Sequence, residues 1–182
     1  MNWYCDVAPG HPVHGPYHDL EYGFPVADDV VLFERLCLEI FQAGLSWLIV
    51  LKRREALRAV FAGFDPERVA AFDATDVDRL LADPSIIRNR RKVEAVVHNA
   101  ARVQAIRREW GALATWLASQ HQDEAGLPRT LESWVGLFRR TFRFMGGEVV
   151  NEFLMSIDYL PGAHRPDCPV YTAILERNGR RA

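Results

Sequence analysis

What the sequence lacks already narrows its class. None of its 182 residues lies in an apolar run near the roughly 18 residues of a membrane span, so no membrane association is expected. The opening MNWYCDVAPG has neither the basic start nor the apolar core of a signal peptide, and a cytoplasmic location is expected. Three cysteines, Cys5, Cys37 and Cys168, are too few and odd in number for a disulfide framework, and read as thiols or metal ligands. Lysine is scarce: Lys52 and Lys92 are the only side-chain amines, which leaves little room for Schiff-base chemistry. Internal repeats and low-complexity tracts are missing, and strand-like alternation is nearly so.

What is present is ordinary for a globular protein: 49% hydrophobic and 25% charged residues, which excludes wholesale disorder or a collagen-like chain. A single domain over residues 1–182 is expected, large enough to bury roughly 70% of its unfolded surface. A net charge of -2 argues against a polyanion partner, but its distribution does not. Between Asp19 and Glu39 stand six acids against Arg35; between Arg88 and Arg108 stand seven bases against Glu94. The basic stretch reads either as an electrostatic footprint for nucleic acid or as a solvated helix face.

Apolar residues recur three or four apart, the spacing of amphipathic helices, so the fold class is all-α and a compact helical bundle is expected. Asp28 or Asp29 caps a helix to about Ala43, with Leu32, Leu36 and Ile40 on its packed face and Gly44 as its stop. Ser46 caps the next, to about Ala62, and Asp65-Pro66 opens a third. Thr75 and Asp78 form a capping box for a fourth, closed by Asp83-Pro84. Further helices are expected over about 89–108, 112–120 and 130–140. A polar loop follows His121, and Met145-Gly146-Gly147 turns into a last core helix to about Ile157.

Cys5 and His18 near one end, and His164 and Cys168 near the other, can complete a tetrahedral Cys2His2 shell. At opposite ends of the chain their spacing is not specific, and unrelated thiols and surface histidines fit it too. His11 and His14 are alternative ligands. Cys37, mid-helix, reads as a small buried hydrophobe. Glu39 shares a stripe with Leu32, Leu36 and Ala43, where a carboxylate is costly without a partner.

Cys5, Tyr17-His18-Asp19, Cys37-Leu38-Glu39 with Gln42-Ala43-Gly44-Leu45-Ser46-Trp47, Ile86-Ile87-Arg88-Asn89-Arg90 and His164-x3-Cys168 follow one another over nearly the whole chain. In this combination the sequence resembles the 3-methyladenine DNA glycosylase I family, within the helix-hairpin-helix glycosylase superfamily. The resemblance implies an all-helical fold whose termini are tied by one structural Zn2+ on Cys5, His18, His164 and Cys168. It makes Glu39 the catalytic, base-contacting carboxylate and Tyr17 and Trp47 stacking faces, with His14 and Tyr22 also at the base. Gly44 and Leu45 match the loop pushed into the gap left by a flipped nucleotide. Met145, Gly146 and Gly147 fall in the DNA-binding hairpin, where backbone N–H groups hold a phosphate.

The implied activity is hydrolysis of the N-glycosidic bond of an alkylated purine, foremost 3-methyladenine, in double-stranded DNA during base excision repair. Neither lysine falls in the hairpin, which favours a monofunctional enzyme using water. A monomer is expected. The sequence departs from the family at Val7 (usually tryptophan), His14 (often tyrosine), Tyr22 (commonly tryptophan), Glu148, Asn151 and Met155, and one extra residue lies in the 158–163 loop. These departures motivate a second reading, a relative that binds DNA or a modified base without cleaving it.

Overall fold

In a computed structural model, which describes residues 3–122 and 125–177, every regular element is helical. In chain order the helices are α1 (Tyr4–Val7), α2 (His14–Leu20), α3 (Asp29–Gln42), α4 (Trp47–Val60), α5 (Pro66–Ala70), α6 (Ala74–Ala82), α7 (Arg90–Trp110), α8 (Leu113–Ser119), α9 (Leu131–Thr141), α10 (Gly147–Ser156) and α11 (Pro169–Arg177). Among the described residues the only β-type pairing is an isolated bridge between Gln122 and Pro128, and no helix is long and apolar enough to cross a membrane. The chain divides into two units, Val26–Phe153 and the paired segments Met1–Pro25 and Leu154–Ala182, with the division falling inside α10.

Local chemistry sets most helix starts in the larger unit. The Asp28 carboxylate accepts from Val30 and Val31 N–H, and Asp65 accepts from Glu67 with Pro66 in the first turn, as the sequence indicates. Asn89 and Thr130 cap α7 and α9 in the same way. Two expectations are corrected. Ser46 occupies the cap position of α4, but its side chain makes no cap bond. The capping box of α6 is Asp73 with Asp76, not Thr75 with Asp78. A carboxylate caps better than a threonine, and this register turns Val77 and Leu80 inward. Asp78 instead pairs with Arg90 at 2.7 Å.

Helix α7 packs against α3, α5, α6 and α8, and α3 against α4, α5, α7 and α8. Helix α3 is therefore enclosed: Leu32 through Phe41 are all buried, the charged Glu34, Arg35 and Glu39 included. The expected amphipathic stripe is a helix covered on every face. Glu34 is matched in place, since Arg58 grips both its oxygens (Nε to Oε1 2.6 Å, Nη2 to Oε2 3.1 Å) and Arg54 Nε donates to Oε1 at 2.8 Å. Burial alone would raise the Glu34 pKa, but the hydrogen bonds from Arg58 and Arg54 outweigh it and hold the carboxyl below its usual range.

In the smaller unit the ends of the chain meet. The Gly23 N–H donates to Ser156 O at 2.9 Å, and Gly23 has φ +79, with Ala163 Cβ 2.9 Å from where its own Cβ would stand. Arg165 pairs with Asp6, and Arg177 lies over the Phe24 ring. The Pro- and Gly-containing N-terminal stretch, given no helix by the sequence reading, holds α1 and α2, both too short to show a hydrophobic period.

Replacing Glu34 by Gln removes the buried carboxylate that Arg54 and Arg58 both hold, and the expected loss is about 3 kcal/mol in urea unfolding at neutral pH. Because the folded pKa of Glu34 is depressed, its contribution is present above the ordinary carboxylate range and fades as pH falls through the lowered value. The gap between wild type and Glu34→Gln should close in acid, and a gap constant with pH would show the pair to be energetically idle.

Candidate functional site

Within the larger unit, α3 carries Glu39 one turn before its end. The side chain is 5% exposed, and no described residue hydrogen-bonds its carboxyl. Burial pushes its pKa well above the ordinary range, the like charge of Glu152 adds to this, and Arg35 offsets part. Such a group gains most from a partner that brings a donor or a positive charge.

Past Gln42 the chain leaves the helix, and Gly44 takes φ +81. Nothing lies within 4 Å of where its Cβ would be, so conformation and not crowding demands glycine there. Leu45 N–H closes the turn on Gln42 O at 2.7 Å, and Gln42 Nε2 returns to Leu45 O at 3.2 Å. This braced turn leaves Leu45 36% exposed, an apolar tip, and Trp47 opens α4 partly exposed.

The second loop lies between α9 and α10. Phe144 holds φ +65, and α10 begins at Gly147, so its first backbone N–H groups have no helical partner. Asn99 on α7 clamps this loop, its Nδ2 donating to Arg143 O (3.0 Å) and its Oδ1 accepting from Arg143 N–H (2.7 Å). Arg139 Nε donates to Met145 O at 3.1 Å. The Met145 side chain is buried, so Met145 offers the loop its backbone alone, while Gly146 is exposed. Glu148 is exposed in the first turn of α10, where a carboxylate favours the helix end. Exposed Arg102, Arg139, Arg140 and Arg143 belong to α7, the end of α9 and this loop. Arg139, Arg140 and Arg143, with no acid among them, extend the basic character of 88–108 into the stretch that ends α9.

The two amines differ sharply. Lys52 is exposed on α4. Lys92 is 4% exposed, and its Nζ donates to Phe41 O (2.8 Å) and Ala43 O (2.6 Å). Burial lowers its pKa.

In the smaller unit, Cys5, His18, His164 and Cys168 are all buried, and their ligand atoms lie within 4.8 Å of one another. Cys5 Sγ is 3.6 Å and Cys168 Sγ 3.7 Å from His164 Nδ1, and Cys168 Sγ is 3.9 Å from His18 Nε2. A tetrahedral ion with bonds of about 2.3 Å to sulfur and about 2.05 Å to nitrogen separates S from N by about 3.6 Å, so the four residues can hold a metal ion. The outer nitrogens are engaged as metal-ligating rings require. His164 Nε2 donates to Tyr22 O (2.7 Å), and His18 Nδ1 donates to Asp19 Oδ1 (2.6 Å), so the other ring nitrogen of each is the one turned to the thiols. Burial pushes the Cys5 thiol up and the His164 imidazole down, and a dication among the four atoms offsets the cost of the thiolate.

His11 and His14 are not ligands in this arrangement. His11 Nδ1 accepts from the Val13 and His14 N–H groups, and His14 Nδ1 meets the Tyr4 hydroxyl at 3.0 Å. Tyr4, singled out by no motif, is the hub of an aromatic cluster, with its ring centroid 5.4 Å from His14, 6.4 Å from Tyr17, 5.5 Å from His18 and 5.5 Å from Tyr22. Tyr17 and Tyr22 are buried, with centroids 5.8 Å apart. Val7, at the end of α1, is exposed. Cys37 is buried in α3, as expected of a small hydrophobe.

The sequence model of the methyladenine glycosylase family matches residues 7–170. The chain is 36% identical over 165 residues to DNA-3-methyladenine glycosylase 1 of Escherichia coli (strain K12), covering 84% of this chain and 88% of that protein. It is 34% identical to the DNA-3-methyladenine glycosylase of Haemophilus influenzae, covering 95% of this chain and 100% of that one. The structure of 3-methyladenine DNA glycosylase I from Staphylococcus aureus, solved for the basis of its 3-methyladenine recognition, superposes with a TM-score of 0.79 at 33% identity, covering 92% and 95% of the two chains.

A raised carboxyl pKa contributes stability below the ordinary carboxylate range and loses it as pH climbs. Glu39→Gln should therefore melt above wild type at neutral pH, with the difference vanishing in acid. Thermal melts across pH test this, and a wild type more stable than the variant at neutral pH would show a well-solvated or paired carboxylate.

Proposed function

The chain belongs to the methyladenine glycosylase family, and on that footing we propose that it hydrolyses the N-glycosidic bond of an alkylated purine, foremost 3-methyladenine, in double-stranded DNA as a monofunctional enzyme of base excision repair. The observation that carries the reading is Glu39, a buried carboxyl with raised proton affinity and no hydrogen-bond donor from the described residues. N3-methylated adenine brings both missing elements, a positive charge and N–H donors. Its bond to the sugar is already weak, so the task is recognition more than forceful catalysis.

Glu39 binds the base edge, and Tyr17 and Trp47 supply faces on which the base stacks, each worth roughly 1–3 kcal/mol. His14 and Tyr22 are further base-side residues. Gly44 and Leu45 form the wedge that fills the vacated stack, consistent with the exposed Leu45 on its braced turn. Gly146 and Gly147, with the Met145 backbone, present N–H groups to a phosphate at the start of α10. Water adds at the sugar as positive charge develops there. Commitment of the Lys92 amine to two carbonyls supports water over an amine nucleophile.

The ion that Cys5, His18, His164 and Cys168 hold is zinc by the chemistry of the donor set, two thiolates and two imidazoles. Zinc bound there would supply a structural cross-link between the four residues. Through Tyr22 O on His164, and Tyr17 next to His18, the four residues also set the backbone of both tyrosines.

Release of 3-methyladenine from methylated duplex DNA tests the function. Glu39→Gln should slow release roughly tenfold to a hundredfold, the loss of one charge-assisted hydrogen bond of about 1.5–3 kcal/mol. Equal background release by both proteins would sink the proposal, and tight duplex binding without release would establish the non-cleaving reading. Elemental analysis should find about one zinc per chain, with a lower melting temperature once a chelator has stripped it; a metal-free wild type of unchanged melting temperature would exclude structural zinc.

A further inference from the structure

Lys92 is a buried titratable group to which the proposed chemistry gives no task. An ammonium withdrawn from water is costly, and an apolar side chain of the same length would fill the space more cheaply. Its surroundings show what the charge secures. Phe41 O is left without its helical donor, because the Leu45 N–H has turned to Gln42 O. Ala43 O immediately precedes the left-handed Gly44. One amine bonds both carbonyls, at 2.8 and 2.6 Å, and a cation suits the negative end of α3. The same Nζ stands 5.8 Å from the centroid of Phe144, the positive-φ residue that opens the loop before α10, within reach of a cation–π attraction. Seven residues along α7, Asn99 fixes that loop again at Arg143.

We propose that Lys92 is a positioning residue that ties the 43–45 wedge turn to the 144–147 phosphate-binding turn, so that α7 presents both to the duplex as one unit. The proposal rests on the reading of those turns given under Proposed function. An amine in contact with both loops transmits a displacement of either to the other. Duplex engagement depends on that registration, whereas a free base, which has neither a phosphate nor a gap to fill, does not.

The test is Lys92→Met, read in two ways. Amide hydrogen exchange needs no activity: exchange at Leu45 and at Val150, whose N–H donates to Gly146 O, should accelerate together, and acceleration at one alone, or at neither, overturns the coupling. In turnover, release of 3-methyladenine from methylated duplex should fall roughly tenfold to a hundredfold, with binding of free 3-methyladenine kept within about twofold. Loss of both in parallel would make Lys92 a general stabiliser and overturn the proposal, as would loss of neither. A wild type that releases no base overturns the proposed function and leaves the exchange measurement to decide the coupling. Phe144→Leu is the second variant, in case Lys92→Met does not fold. It leaves the amine on its carbonyls, so duplex release should fall with Leu45 exchange unchanged, and undiminished release would overturn the link through the ring.

Discussion

Enclosure of α3 is the constraint from which much of the larger unit follows. A helix whose residues 32–41 are all buried cannot leave a charge to water, so each one demands an answer from a neighbouring element. Glu34 is answered twice over by α4. The backbone carbonyls at the helix end are answered by α7 through Lys92. Glu39, between them, is met by the charge of Arg35 without a hydrogen bond from the described residues and is opposed by Glu152. The same burial thus yields a stabilising network at one point of the helix and a carboxyl of raised proton affinity at another. The difference lies in whether the fold itself supplies the donor.

Much of this was open to reading in the sequence. Asp28, Asp65, Asn89 and Thr130 cap helices through contacts with the next two or three residues, so their chemistry is written locally. The α6 register failed because two overlapping polar pairs satisfied the same local rule, and packing of Val77 and Leu80 decided between them. Helices α1 and α2 escaped notice because their short Pro- and Gly-containing segments show no period. The covering of α3 on all sides was hidden too, since Leu32, Leu36 and Ile40 mark one face and give no hint of how many helices surround it.

The four residues that could hold a metal were a candidate set from their side-chain types, but resemblance to a family was needed to single them out, because Cys5 and His164 stand 159 positions apart and no local rule joins them. Lys92 was given no role for a similar reason. Its acceptors lie 51 and 49 positions away, and in the sequence it stands only as one of two amines, with nothing local to mark it as a cap. Tyr4 carries no motif and owes its place at the centre of the aromatic cluster to packing. Glu148 stands at a helix start, which makes a carboxylate beside the 144–147 turn locally favourable.

The smaller unit is assembled from both ends of the chain, residues 1–25 and the stretch from 154 onward. Its four ligand atoms cannot come together until Cys168 has been made, whereas everything the larger unit needs has been synthesised by Phe153. Biosynthesis therefore imposes an order of assembly. Domains fold as their sequence emerges, so α3 and its surrounding helices can close while Cys5 and His18 are still waiting for their partners. During that interval both are exposed to any thiol-reactive species or competing metal in their surroundings, and Cys37, already enclosed, is not.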